Sequence, residues 1–176
     1  MQESLSTFVF PDCHATILDM PLTLDDLVAR LRFSRNRFLK HLVGLRDDQW
    51  DWKPYPECKS IRETLAHLIA DDRAALQSLQ TGKEPEYDSL QESARNPVKL
   101  RALLDESHQR LCQFLLKHYA KAPLDTEVCI WCNPMKLAVG VAHLSSEDFY
   151  HAGQVAFIRM ATDPVWDYYG FIYSAD

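Results

Sequence analysis

The apolar residues of this chain recur at helical spacing in four long segments, and that pattern restricts the fold more than any other property. From about Thr23 to Leu45 the stripe is Leu24, Leu27, Val28, Leu31, Phe38, Leu42 and Leu45. Spacings of three and four place these side chains on one helix face. Thr23 is a capping residue, and Asp25 and Asp26 lie in the positively polarised first turn. A second helix starts at Ser60, where Ser60 and Glu63 form the Ser-x-x-Glu capping box. Its stripe is Ile61, Leu65, Leu68, Ile69, Leu76 and Leu79, and Gly82 is its stop. The third runs from about Pro97 to Ala120 behind Asn96 as cap, with proline tolerated at the first position. Val98, Leu100, Leu103, Leu104, Leu111, Phe114 and Leu115 face inward. The fourth runs from about Met135 to Ala161 and ends before Asp163-Pro164.

Between these segments no convincing strand run occurs. Trp50 to Lys59, with two tryptophans and two prolines, reads as a loop. Lys121 to Met135 is a connection, locally extended at Val128 to Trp131. The expected fold is therefore all-α, an antiparallel four-helix bundle, with long connections between helices one and two and between three and four. At 176 residues the chain is expected to form one domain spanning 1–176. Residues 1–22 are expected to be an extended N-terminal segment, and 163–176 an aromatic tail packed on the bundle or on a second copy in a homodimer.

A net charge of −6 argues against nucleic-acid binding, which needs a basic footprint to displace counterions. No run of about 18 apolar residues is present, so no membrane span is expected. No basic segment followed by an apolar core opens the chain, so no signal peptide is expected. The five cysteines (Cys13, Cys58, Cys112, Cys129 and Cys132) are odd in number and scattered. They fit reduced thiols in a cytoplasmic protein. Arg30, Arg32, Arg35 and Arg37 read as a solvated face of helix one. His14, His41, His108 and His118 lack ligand-spaced partners and read as surface or boundary residues. Cys129-x-x-Cys132 has no second pair to complete a zinc site, and reads as two packing residues. A redox role would want it at a helix N-terminus.

Chemistry concentrates on helix four. Glu147 and His151, four apart, lie one turn apart on one face and can converge on one metal ion. His143 precedes them by another four, but each such step drifts about 40° around the helix, making it a poorer third ligand. On helix two, His67 and Asp71 repeat the spacing. If helices two and four are neighbours, His67 meets the Glu147–His151 pair, as in metal sites built from facing helices of a bundle. Three ligands leave a coordination position open, the arrangement of catalytic sites. The same spacing also fits a hydrogen-bonded packing histidine and a helix-surface Glu–His pair. Gly153 costs a helix interior about 1 kcal/mol against alanine, and close helix–helix approach is one way to repay it. Gln154 can hydrogen-bond a ligand and fix its orientation.

His143 to Arg159, HLSSEDFYHAGQVAFIR, resembles the last helix of the DinB-like (YfiT-like) family, with its His-x-Gly-Gln element at residues 151–154. Trp52-Lys53-Pro54, Ser60-Ile61 and Ala66-His67-Leu68 resemble that family's Trp-x-Pro loop and the helix bearing its first histidine. The resemblance spans about residues 23–160. It implies a metal held by His67, Glu147 and His151, with glutamate where most members have histidine. In this the site is similar to that of the mycothiol-dependent maleylpyruvate isomerases. A His₂Glu set suits Zn²⁺, and also accepts Ni²⁺, Mn²⁺ or Fe²⁺. The resemblance implies an enzyme of thiol S-transferase type, taking a low-molecular-weight thiol as cosubstrate and a small electrophilic substrate. General metal chemistry offers hydrolysis instead. Asp71 and His143 are then proton-transfer candidates. The alternative is a non-enzymatic, stress-related metal-binding or interaction protein. An open polar cavity beside His151 would separate the two.

Overall fold

The computed structural model describes residues 21–87 and 96–173. Four long helices dominate: α1 (Leu24–Lys40), α2 (Ile61–Thr81), α3 (Pro97–Tyr119) and α4 (Leu137–Thr162). A fifth, short helix α5 (Tyr168–Ile172) lies in the aromatic tail. The expected segment 1–22 falls almost wholly outside the described residues.

The caps behave as the sequence predicts. Thr23 and Asp26 form a reciprocal capping box on α1, and Ser60 and Glu63 form another on α2. The Asn96 side chain accepts from the amides of Val98 and Lys99. Gly82 closes α2 at φ +66°, a left-handed conformation that glycine adopts without a Cβ penalty. Helix α1, in contrast, stops five residues short of the expected Leu45. The chain unwinds to Gly44 at φ +71°, and Arg159 of α4 takes up the freed carbonyls of His41 and Val43 at 3.0 and 2.7 Å. Leu42 still reaches the core from this turn.

The apolar stripes meet in two clusters. In one, Leu24, Val28 and Leu31 of α1 join Ala75 and Leu79 of α2, Leu111 and Leu115 of α3, and Leu137 and Val141 of α4. In the other, Phe38 and Leu42 join Ile61 and Leu65, Leu100 and Leu104, and Val155 and Ile158. Helices α1 and α4 thus run from the first cluster to the second, and α2 and α3 run back. The order is up, down, down, up. Helix α1 packs chiefly on α4 and α2 chiefly on α3, with α1·α3 and α2·α4 as the antiparallel contacts. Helices α1 and α2 therefore sit on one diagonal and α3 and α4 on the other. The two long connections are long because each crosses a diagonal.

The second of them is extended at Val128 to Ile130, as expected from sequence, but goes further than a local extension. It holds a β-hairpin, β1 (Glu127–Ile130) with β2 (Asn133–Lys136), paired antiparallel from Glu127↔Lys136 to Ile130↔Asn133. Its two-residue turn is Trp131-Cys132, both at positive φ (48° and 64°), where Asn-Gly is the usual choice. Propensity pointed away from a hairpin. Tertiary contacts repay the strain: Trp131 Nε1 donates to the carbonyl of Asp71 at 2.9 Å, and its ring meets His143 edge-on at 5.5 Å. Cys129 thus lies on β1 and Cys132 in the turn, apart from the α4 N-terminus at Leu137, and all four described cysteines are free.

Three further expectations are corrected. Val98 points to solvent, because it lies two residues, about 200° of helix, from the fully buried Leu100. His41 and His108 are buried, His41 beneath Trp166 and Tyr168 of the tail, and His108 on the inward face of α3. Arg35 is not on a solvated face: it is 3% exposed. It lies between the two apolar clusters, in a polar layer with Ser34, Asp72, Ser107 and Asp148. The tail folds back on its own bundle, with Ile172 buried and Trp166 beneath the Arg159 guanidinium at 4.2 Å.

Candidate metal centre

Helices α2 and α4 are neighbours, as the site requires, and their two four-residue spacings face each other. His67, Asp71, Glu147 and His151 each offer one ligand atom, and these atoms all lie within 4.8 Å of one another. The His67 and His151 rings meet edge-on at 4.9 Å. His67 Nε2 is 3.2 Å from Asp71 Oδ2, and His151 Nε2 is 3.7 Å from Glu147 Oε2. Asp71 thus stands among the three expected ligands. His143 does not join them. It sits on the rim, half exposed, with Nε2 3.6 Å from the other oxygen of Glu147.

The residues present fit a divalent ion on three counts. The first is the state of His151. Its Nδ1 lies 2.8 Å from Gln154 Oε1, an acceptor, so Nδ1 carries the proton. Nε2 is then a bare lone pair. It is buried and has no hydrogen-bond partner among the described residues. Leaving such an atom unmet costs about 1–3 kcal/mol, which a bound cation would cancel. Holding the far nitrogen so that the near one is free is the usual service of a residue behind a metal ligand.

The second count is His67, whose pKa burial and then the charges of Lys59 and His151 push down to about 4. It is neutral at physiological pH, the form that donates to a metal. The third is Asp71. Burial, Glu147 and Asp72 drive its carboxyl up to about 7. Two carboxylates converge here, and one divalent ion between them would remove that repulsion.

Beneath this cluster lies a network that sequence reading missed. Arg35 of α1 donates through Nε to Asp148 Oδ1 at 2.8 Å, and through both terminal nitrogens to Asp72 at 2.9 and 3.1 Å. Ser34 donates to the other oxygen of Asp148 at 2.9 Å, and Ser107 donates at 2.8 Å to Asp72 Oδ2, which also accepts from the guanidinium. Asp72 follows Asp71, and Asp148 follows Glu147. One guanidinium therefore sets the register of both ligand-bearing helices. The signal was present: Leu24, Val28, Leu31, Arg35, Phe38 and Leu42 advance in steps of four and three, so Arg35 occupies a core position of its stripe.

Gly153 repays nothing by close approach, since a Cβ built there meets no atom within 4 Å. It lines instead a groove of about 630 Å³ between α4 and the loop before α2. Gln154, which orients His151, also lines that groove.

The protein is a four-helix bundle in which two histidines and two carboxylates that could hold a metal ion converge between adjacent helices. The sequence model of the DinB superfamily matches residues 30–155, and the chain belongs to that family. No functionally curated protein matches it. Among the described residues, no helix is long and apolar enough to cross a membrane.

Proposed function

We propose that the protein is a metal-dependent enzyme acting on a small electrophilic substrate, by thiol S-transfer or by hydrolysis. The observation that supports this is the buried, unpartnered Nε2 of His151, aimed at His67, Asp71 and Glu147 and held in its tautomer by Gln154. His67, Glu147 and His151 would hold a divalent transition ion, with Zn²⁺ the first choice for two nitrogens and a carboxylate and Ni²⁺, Mn²⁺ or Fe²⁺ as competitors. A bound ion supplies Lewis acidity, favouring the thiolate form of a thiol or the deprotonation of water.

The chain's own groups supply the rest. Asp71 faces the cluster from α2 and is placed to accept the proton a thiol or water gives up. His143 on the rim shares Glu147 and orients it. Trp131, hydrogen-bonded to the Asp71 carbonyl, walls the site on the hairpin side. A groove lined by Gln154, the residue that orients His151, offers a small molecule an opening next to the cluster, which a purely structural metal would not require. That opening favours an enzyme over the non-enzymatic binding protein.

Elemental analysis of the purified protein beside Glu147→Ala and His151→Ala tests this. The expected result is about one equivalent of a transition metal, lost in both variants while their helical circular dichroism persists. A wild type that takes up neither Zn²⁺ nor Ni²⁺ on reconstitution would sink the proposal.

A further inference from the structure

The groove beside the cluster carries a recognition element of its own. Its walls are Tyr55, Cys58 and Lys59 from the loop before α2, and Tyr150, Gly153 and Phe157 from α4. At about 630 Å³ it matches the usual size of a small-molecule site. Tyr55, Tyr150 and Phe157 are largely exposed, so apolar surface is on offer without an occupant. The loop wall is braced. Asp51 pairs with Arg62 at 2.7 Å, and Lys53 with Glu63 at 2.7 Å, both across to α2. Each basic residue of that stretch is thus committed except Lys59, which makes no ion pair among the described residues. The groove's other charged residue, Glu57, makes no ion pair with it.

Two observations tie this lysine to the cluster. Its positive charge acts on His67, Asp71 and His151, so it lies within electrostatic reach of three of the four site residues. Gln154 lines the groove while bonding His151, so an occupant touches the residue that orients a ligand. Gly153 supplies the room. It carries the helix cost of glycine, about 1 kcal/mol, with no close contact to explain it. Any larger side chain at that position would project into the groove.

We propose that the groove binds a small organic anion, its carboxylate paired with Lys59 and its apolar body lying along Tyr55, Tyr150 and Phe157. The substrate class follows: the electrophile or thiol handled by the cluster carries an acidic group a short distance from its reacting atom. As a substrate site this rests on the metal-dependent reading above. The anion preference itself does not.

The test is an amide-resolved nuclear magnetic resonance titration with 3-phenylpropionate and its uncharged partner 3-phenylpropanamide. Both are run on chelator-treated protein and on protein given one equivalent of Zn²⁺. The acid is expected to shift the Gly153 and Phe157 amides and to bind about tenfold more tightly than the amide, the scale of one charge-assisted contact. Lys59→Met should bring the acid down to the amide, Lys59→Arg should keep the preference, and Gly153→Leu should abolish binding of both. Equal binding of acid and amide, an undiminished preference in Lys59→Met, or no shift at groove residues would each overturn the proposal. Acid preference without Zn²⁺ uptake would refute the metal centre and uphold the groove. Zn²⁺ uptake without acid preference would refute the groove alone.

Discussion

Replacing Arg35 with methionine should be among the most damaging single changes in the bundle, and its cost should depend on pH. The side chain is fully enclosed, and burial alone works against its charge. Asp72 and Asp148 more than offset that, so the guanidinium stays protonated. It donates three hydrogen bonds to the two carboxylates and a fourth to the carbonyl of Leu104 at 3.2 Å. Methionine preserves length and apolar volume but leaves two carboxylates in the core, each with one serine hydroxyl. Breaking a buried ion pair by removing one partner costs about 3–5 kcal/mol. In a domain of this size that lowers Tm by roughly 6–20 °C.

Stranded carboxylates have folded-state pKa values raised above their unfolded ones. Such groups favour the native state below the unfolded value and cease to do so as pH rises through the folded one. The deficit should therefore be largest at pH 7.5 and shrink toward pH 5. Urea denaturation followed by circular dichroism, at both pH values, measures it. Arg35→Met/Asp72→Asn/Asp148→Asn should recover most of the loss, since the asparagines keep the serine contacts without charge. A deficit below about 1 kcal/mol, a deficit equal at the two pH values, or a triple variant no better than the single would refute the reasoning.

Two other outcomes follow from single residues. Gln154→Leu should weaken metal affinity about 10- to 100-fold, read by competition with a chromophoric chelator, because the His151 ring loses the acceptor that sets its tautomer. Unchanged affinity would mean that Gln154 serves only the groove. His108 is buried beside Arg35 and Arg32, and burial, then those charges, lowers its pKa to about 3. A depressed folded pKa contributes stability that is full above the unfolded value near 6.5 and fades as pH falls toward 3. His108→Gln should accordingly flatten the stability–pH curve by up to about 1.4 kcal/mol per pH unit between those limits. Parallel curves for variant and wild type would exclude that role.

The elements that could be read along the chain are those whose causes are local. Capping boxes at Thr23 and Ser60, the Asn96-Pro97 start and the Gly82 stop all concern groups within four residues of one another. The four-residue spacings of His67 with Asp71 and Glu147 with His151 are local as well, so each half of the site was legible. The hairpin was not, because Trp131-Cys132 is a poor turn by its own propensity. Contacts from Trp131 to Asp71 and His143, and the burial of Val128 and Ile130 in the first apolar cluster, hold it.

What the sequence by itself determined is four helices, the ends that local caps mark, their apolar faces, and two pairs of ligand atoms at one-turn spacing. What only the tertiary structure decided is which helices are neighbours, and hence that the two pairs meet within 4.8 Å. It also decided that Arg35, read along the chain as one of four surface arginines, is the charge tying α1 to the residues beside Asp71 and Glu147. The physical reason is that helix propensity and caps depend on backbone groups a few residues apart. The worth of a charge depends on whether packing removes it from water and what it meets there.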